Sequence, residues 1–267
     1  MKFGPAGKRP APDATLRCTA KNGRTKVFSL PVVRRGLARA DFGSIGRADY
    51  FTKTTTNEGR MSESALQKVM DHASAGLAAR KAFFDTKAEL VVEIARAMAV
   101  CLAGGGKVMF CGNGGSAADS QHLAAEFTNR FRMERPPLPG LALTTDTSAL
   151  TAIGNDYSFD EVFSKQLLAL GRPGDILVGL STSGTSTNVI RAMREAKRND
   201  IVTVGLTGQS GAEMAAVSDF LVTVPSGDTA VVQEIHIAAG HAFCFLVDHF
   251  LFEAVAELTP YLPEPRG

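Results

Sequence analysis

Two short apolar runs in this chain are each followed at once by a loop of glycine and hydroxyl residues and then by a helical pattern. Residues 107–111 precede Gly112-Asn113-Gly114-Gly115-Ser116, and residues 175–180 precede Ser181-Thr182-Ser183-Gly184-Thr185-Ser186. A short apolar run bounded by glycine is typical of a buried strand. Recurring strand–loop–helix units indicate a parallel sheet with helices on both faces. Ligands bind such sheets at the carboxyl ends of the strands, where both loops are expected to lie.

The remaining patterns complete an α/β fold with a central parallel sheet flanked by helices. Apolar residues at helical spacing over residues 64–84, and again from Asp85 to the glycines at 104–106, predict two leading helices. The other predicted elements are helices at 188–197 and 211–217, strands at 201–206 and 220–224, and a long, mostly apolar final helix at 229–258.

The charge of the chain changes abruptly near residue 60. Residues 1–60 carry a net charge of +9, and the rest of the 267 residues carry −7. This break predicts a domain boundary, with one domain over residues 61–267 that is too acidic for a general nucleic-acid binder. We expect residues 1–60 to be a disordered extension, or upstream sequence translated from a misplaced start, with Met61 as a natural beginning. The alternative is a basic tail that touches nucleic acid or an anionic surface.

Within the basic segment, residues 26–33 and 48–52 are candidate strands. No apolar run approaches the roughly 18 residues that a membrane span needs, so we expect no membrane association. The four cysteines show no C-x-x-C spacing, which argues against a zinc ribbon or a disulfide framework and favours a cytoplasmic protein.

The loop at 181–186 predicts a phosphate site. Its hydroxyls and the backbone N–H groups at the start of the following helix suit an anion, and the absence of a lysine suits a sugar phosphate that must be released. The first loop matches the dinucleotide pattern G-x-G-x-x-A, but the acidic residue at the expected distance, Glu134, lies in a loop-like stretch. A dinucleotide cofactor is therefore not expected, and no lysine completes a Walker loop.

Histidine and carboxylate spacing suggests a metal site. His122 and Glu126 are four residues apart on the helix after the first loop, so they share one face and can chelate zinc. The final helix supplies Gln233 and His241, which are separated by about 12 Å of helical rise. One straight helix cannot bring both to one ion, so either it bends or two subunits contribute. We favour a shared site, and hence an oligomer.

Taken together, these motifs resemble the sugar isomerase (SIS) domain family, and within it the bacterial phosphoheptose isomerases. The resemblance covers about residues 62–252. It is carried by both loops, by His122-x-x-x-Glu126, by Leu143-Thr144-Thr145-Asp146-Thr147-Ser148 with Gly154-Asn155-Asp156-Tyr157, and by Gln233-Glu234-Ile235-His236 with His241. One position departs from the family: many members carry a basic residue where this chain has Val231, preceded by Ala230.

The resemblance implies an α/β three-layer sandwich and a cytoplasmic homotetramer with sites shared between subunits and one zinc per subunit. It implies the conversion of sedoheptulose 7-phosphate to D-glycero-D-manno-heptose 7-phosphate, the first step towards the heptose of lipopolysaccharide or other glycans. The implied zinc ligands are His122, Glu126, Gln233 and His241. The implied substrate contacts are Asn113, Gly114, Gly115, Asn155, Asp156, Glu126 and Gln233 for the sugar, and Ser116, Ser181, Thr182, Ser183 and Ser186 for the phosphate.

An aldose–ketose isomerisation needs a base and a group that protonates oxygen. We assign the proton transfer between C1 and C2 to Glu126, and the complementary acid–base role to His241. Two other functions remain open at this stage. A non-catalytic SIS paralogue binds the bacterial replication initiator protein, but such paralogues depart at the metal and acid–base positions that are intact here. A sugar-phosphate-sensing regulator normally adds a helix-turn-helix, and residues 1–60 show no such helix pair.

Overall fold

The structure is a computed structural model that describes residues 15–19, 25–29 and 63–262. The chain divides into two units, Met1–Ser62 and Glu63–Gly267.

The described residues of the first unit form an antiparallel pair of strands, β1 (Thr15–Thr19) and β2 (Thr25–Ser29). Strand β2 overlaps the candidate strand at 26–33, while the rest of that stretch and the candidate strand at 48–52 lie outside the described residues. The expected disorder of this segment and the natural beginning at Met61 stay predictions.

The second unit alternates helices and strands, with two short 3₁₀ turns (Phe159–Glu161 and Thr259–Tyr261) and one π-helical turn. Its helices are α1 (Glu63–Ala103), α2 (Gly115–Thr128), α3 (Thr147–Asp156), α4 (Ser164–Leu170), α5 (Thr187–Arg198), α6 (Ala212–Ala215), α7 (Thr229–Asp248) and α8 (Val255–Leu258). Its strands are β3 (Val108–Gly112), β4 (Gly140–Ala142), β5 (Ile176–Ser181), β6 (Val202–Thr207) and β7 (Phe220–Thr223).

The five strands form one parallel sheet in the order β4-β3-β5-β6-β7, which confirms the predicted sheet. Alternate residues of each strand point to opposite faces. Phe110 packs with α1, α2 and α7 on one face, while Met109 packs with α4, α5 and α6 on the other. The predicted α/β three-layer sandwich is therefore confirmed, and the carboxyl ends of the strands meet at one edge.

The prediction of two leading helices is wrong, because residues 63–103 form the single helix α1. Residues 77–103 contain neither proline nor glycine, so nothing in the sequence breaks the helix at Asp85. Lys81 also pairs with Asp85 one turn along the helix. Its carboxyl half is buried against the domain. Its first turns leave an apolar stripe exposed: Leu66, Val69, Met70 and Leu77.

The final helix is also shorter than predicted. Helix α7 ends at Asp248, and a π-helical turn (His249–Glu253) follows, in which the Ala254 N–H donates to the His249 carbonyl five residues earlier. The segment Thr229–Glu253 is long and apolar enough to span a membrane by length and composition, with a mean hydropathy of 1.5. It packs against α1 and α2 inside the domain, and 56% of its most apolar stretch is buried there.

Candidate active site

The two glycine- and hydroxyl-rich loops lie side by side because β3 and β5 are neighbours in the sheet. Their contact is a reciprocal amide pair. Asn113 in the first loop donates to Asn188 Oδ1 (2.8 Å), and Asn188 in the first turn of α5 donates back to Asn113 Oδ1 (2.9 Å). The expectation that both loops occupy the carboxyl edge of the sheet is confirmed.

Each loop contains a glycine with left-handed backbone geometry. The φ angle is +56° at Gly114 and +70° at Gly184, a region that L side chains rarely adopt. These turns lead directly into α2 and α5, whose first backbone N–H groups have no partner within the helix. The geometry is that of an anion site at a helix N-terminus.

The second loop gathers three serine hydroxyls. Ser181 Oγ lies 2.8 Å from Ser186 Oγ and 3.4 Å from Ser183 Oγ, and the Ser186 N–H donates to Ser181 Oγ (3.4 Å). Ser183 is exposed, whereas Ser181 at the end of β5 is buried. The loop therefore holds the exposed Ser183 hydroxyl in place through the buried Ser181.

Other predicted substrate residues differ in their exposure. Ser116 is buried in the first turn of α2, and the Thr182 carbonyl accepts from the Gly208 N–H. Asn155 and Asp156 are exposed at the end of α3 and hydrogen-bond each other (2.9 Å). Their contact with a sugar stays a prediction.

Helices α2 and α7 run side by side and bring three predicted metal ligands together. His122 Nε2 lies 2.9 Å from His241 Nε2 and 3.2 Å from Glu126 Oε1. One ligand atom from each of these three residues lies within 4.8 Å of the others. The close approach depends on Gly240, since a Cβ atom there would stand 2.5 Å from Leu123 on α2.

The chemistry and spacing of this cluster fit a zinc ion. Two imidazoles and one carboxylate are a common donor set for zinc, and the donors of a tetrahedral site with bonds of about 2.05 Å lie about 3.3 Å apart. The observed separations of 2.9 and 3.2 Å are close to that edge. These three side chains fill three of the four positions of such a site.

The fourth predicted ligand, Gln233, lies elsewhere in the chain's own fold. A Cβ atom on Gly115 would stand 2.5 Å from Gln233 Nε2, so Gln233 packs at the start of α2, about two turns before His122. Helix α7 continues without a break from Gln233 to His241. The structure therefore does not bring Gln233 to the three-ligand cluster of the same chain.

The surroundings of His241 disfavour its protonation. Burial, together with the nearby His122, Arg132 and Arg80, lowers the pKa of His241, and Glu126 acts in the opposite direction. Phe131 stacks on the ring with the centroids 5.3 Å apart. A neutral imidazole held in place in this way is competent as a ligand or as a base.

Three residues near the site were not singled out by the sequence analysis. Asn188 binds Asn113 as described above. Asp119 lies one turn before His122; burial raises the pKa of Asp119, and its Oδ2 is buried with no partner among the described residues. Arg135 follows α2 and binds its last carbonyls. The i, i+3 spacing of Asp119 and His122 was readable in the sequence, whereas the other two contacts join residues far apart in the chain or in a loop.

Two motif residues on α7 are part of the core. Val231, the position that departs from the family pattern, is 2% exposed. His236 is fully buried, and neither of its ring nitrogens has a partner among the described residues. Burial lowers the pKa of His236 to about 4, so the ring is neutral at pH 7.

The SIS domain family matches residues 72–208 of the chain. The chain is 65% identical over 202 residues to a phosphoheptose isomerase from Maridesulfovibrio salexigens, a match that covers 76% of this chain and 98% of that protein. It is 60% identical over 202 residues to a phosphoheptose isomerase from Nitratidesulfovibrio vulgaris, with 76% and 97% covered.

Two solved structures are similar in fold and in sequence. A phosphoheptose isomerase from Neisseria gonorrhoeae is 49% identical with a TM-score of 0.65, and one from Francisella tularensis is 38% identical with a TM-score of 0.67. Each match covers 69% of this chain and 98% of the solved chain.

His236 makes the stability of the fold depend on pH. Its pKa is about 4 in the folded protein against 6.5 for an ordinary histidine, so the unfolded chain binds protons more readily between these values. This contribution to stability is fully present above pH 6.5 and falls as the pH drops towards 4. We expect His236→Gln to remove up to about 3 kcal/mol of the pH dependence of the unfolding free energy. Urea unfolding at several pH values between 4 and 6.5 measures the unfolding free energy of both proteins. The same change of that free energy with pH in the wild type and in His236→Gln would contradict the expectation.

Proposed function

The chain belongs to the SIS domain family and, within it, to the phosphoheptose isomerases, and we infer that the cluster between α2 and α7 is its active site. The enzyme isomerises D-sedoheptulose 7-phosphate to D-glycero-D-manno-heptose 7-phosphate by moving a proton between C1 and C2 through an enediol. The observation that carries this assignment is the meeting of His122, Glu126 and His241 between α2 and α7.

The loop at 181–186 binds the phosphate in this proposal. The Ser181, Ser183 and Ser186 hydroxyls and the N-terminus of α5 offer hydrogen bonds and a favourable dipole to an anion. Ser116 and Thr182 complete the set. The backbone at Gly114 and Gly115, with Asn113, faces the sugar, because the Asn113–Asn188 pair fixes the first loop beside the phosphate. Asn155, Asp156 and Gln233 contact the remaining hydroxyls.

Glu126 transfers the proton, and His241 acts as the complementary acid–base. The Glu126 carboxylate lies against His122 at 3.2 Å with its side chain 23% exposed, so it is partly screened from water. A second acid–base group is required because a proton must also move between the C1 and C2 oxygens. The neutral ring of His241 can accept that proton from one oxygen and return it to the other.

We propose zinc as the metal, one ion per subunit. When bound by His122, Glu126 and His241, a zinc ion would polarise the substrate oxygens and stabilise the negative charge of the enediolate.

The same proposal makes the enzyme a homotetramer with shared sites. Gln233 would complete the metal site from a second copy, because within one chain it lies about two helical turns away. The exposed stripe of Leu66, Val69, Met70 and Leu77 on α1 is a surface that a second copy can cover. The protein would act in the cytoplasm, in the supply of heptose for lipopolysaccharide or other glycans.

The comparisons give no support to the non-catalytic alternative. The relatives reported above are named as isomerases, and the metal and acid–base residues are all present in this chain.

The reaction can be tested directly on the full chain. We expect the zinc-supplemented protein to convert sedoheptulose 7-phosphate to the aldoheptose 7-phosphate, with loss of activity on adding a chelator and recovery on adding zinc. Nuclear magnetic resonance of the sugar follows both species. A folded, metal-loaded protein that yields no aldoheptose would contradict the proposal, and a pull-down with the replication initiator would then test the alternative.

Glu126→Gln tests the proton transfer. The amide oxygen can still bind a metal, but it cannot accept the proton, so we expect kcat to fall by at least about 100-fold while zinc content and the unfolding midpoint stay close to those of the wild type. Glu195→Gln, which changes a glutamate on α5 that pairs with Arg198, is the matched control. The assignment fails if a folded, zinc-loaded Glu126→Gln protein keeps wild-type turnover.

Mixing two inactive variants tests whether the site is shared. Gln233→Ala and His122→Ala should each be inactive as pure proteins. When the two chains are coexpressed, a site with His122 from one chain and Gln233 from the other becomes complete, so activity should reappear. If all four ligands came from one chain, no mixed assembly would hold an intact site, and activity would stay absent.

A further inference from the structure

A buried ion pair, Arg135 with Asp248, lies next to the candidate active site, and we propose that it acts as a positioning clamp. The clamp fixes the end of α2, which carries His122 and Glu126, against α7, which carries His241. This inference rests on the proposed metal site, and it assigns to two residues a role in setting that site's geometry.

Arg135 uses its whole guanidinium group inside the protein. Its Nε donates to Asp248 Oδ1 (2.8 Å), and the two side chains are only 2% and 7% exposed. Its Nη2 donates to the Glu126 carbonyl (2.9 Å), and Nη1 donates to the Phe127 carbonyl (2.8 Å). Longer bonds from Nη1 reach the carbonyls of Asn129 and Pro136 (3.2 Å each).

These contacts join the two ligand-bearing helices at one point. Nη1 and Nη2 bind carbonyls in the last turn of α2, where the Phe127 carbonyl also accepts from the Leu138 N–H (3.0 Å), and a cation at a helix C-terminus interacts favourably with the helix dipole. Asp248 is the last residue of α7 and follows His241 by seven residues, which is about two turns. The guanidinium therefore sets the height and rotation of the Glu126 turn relative to the His241 face.

Stability alone does not account for this pair. A buried ion pair is often no more stabilising than apolar residues of the same volume. Asp248 Oδ2 is also buried with no partner among the described residues, a cost that a purely structural pair would avoid. What an apolar replacement cannot supply is the set of directional bonds to the Glu126 and Phe127 carbonyls, and directional bonds fix geometry.

The decisive variant is the double replacement Arg135→Met with Asp248→Leu. Because both charges leave together, we expect the protein to fold with an unfolding midpoint close to that of the wild type. Its zinc affinity, measured by competition with a chromophoric chelator, should fall about tenfold, as is typical when partners of metal ligands are lost. At saturating zinc and saturating substrate, kcat should still be reduced, while KM for the sugar phosphate changes little because the phosphate loop is untouched.

A second variant covers failure of the double variant to fold. Asp248→Asn keeps an oxygen that accepts from Arg135 Nε, so we expect it to fold and to show a smaller loss of zinc affinity in the same direction. The matched control is Lys107→Met, which breaks a second ion pair of the fold, between Lys107 and the buried Asp175 in the segments that lead into β3 and β5. It should lower the unfolding midpoint and leave zinc affinity unchanged.

The outcomes separate this inference from the proposed function. Wild-type zinc affinity and wild-type kcat in the folded double variant, or in Asp248→Asn where the double variant does not fold, would overturn the clamp. An equal loss of zinc affinity in Lys107→Met would also overturn it, because general destabilisation would then explain the effect. A wild-type protein that binds no zinc would instead overturn the proposed metal site.

Discussion

The site depends on how closely α2 and α7 approach each other. At one end Gly115 lies against the Gln233 side chain, and two turns later Gly240 makes room for the Leu123 side chain, so a Cβ atom at either glycine would displace that side chain from the contact. The separation of 2.9 Å between the His122 and His241 nitrogens follows from that contact, since both rings project from facing turns. The sheet contributes by fixing the start of α2 directly after β3, through the left-handed turn at Gly114.

Much of this arrangement follows from local signals in the sequence. Short apolar runs predicted β3 and β5, and the loops after them were placed at the correct edge, because a parallel sheet leaves its carboxyl ends together. The i, i+4 spacing placed His122 and Glu126 on one face of α2, where the structure has them. The rise of an α-helix was enough to predict that Gln233 and His241 of one chain cannot share an ion, and helix α7 is indeed unbroken between them.

The features that the sequence did not predict depend on contacts between distant parts of the chain. Periodicity predicts a break at Asp85, because it does not show that two segments share one axis. The buried face around Phe83 keeps α1 continuous. Arg135 stood in a stretch described as loop-like, and its importance appears only when α7 places Asp248 beside it. The role of Asn188 could not be predicted from the sequence either, because its partner Asn113 is 75 residues away.

On the proposed tetramer, the metal position that one chain leaves open and the exposed stripe on α1 have a common explanation. Three ligands from one chain leave one metal position open, and the residue expected to fill it sits at the far end of the α2–α7 contact. The turns of α1 that expose Leu66, Val69 and Met70 run near that same end, since His72 on α1 bonds Glu234, the neighbour of Gln233 (3.0 Å). A second copy that covers the stripe therefore approaches Gln233 itself. Burial of the stripe and completion of the metal site would then be coupled, so that an unassembled chain has neither.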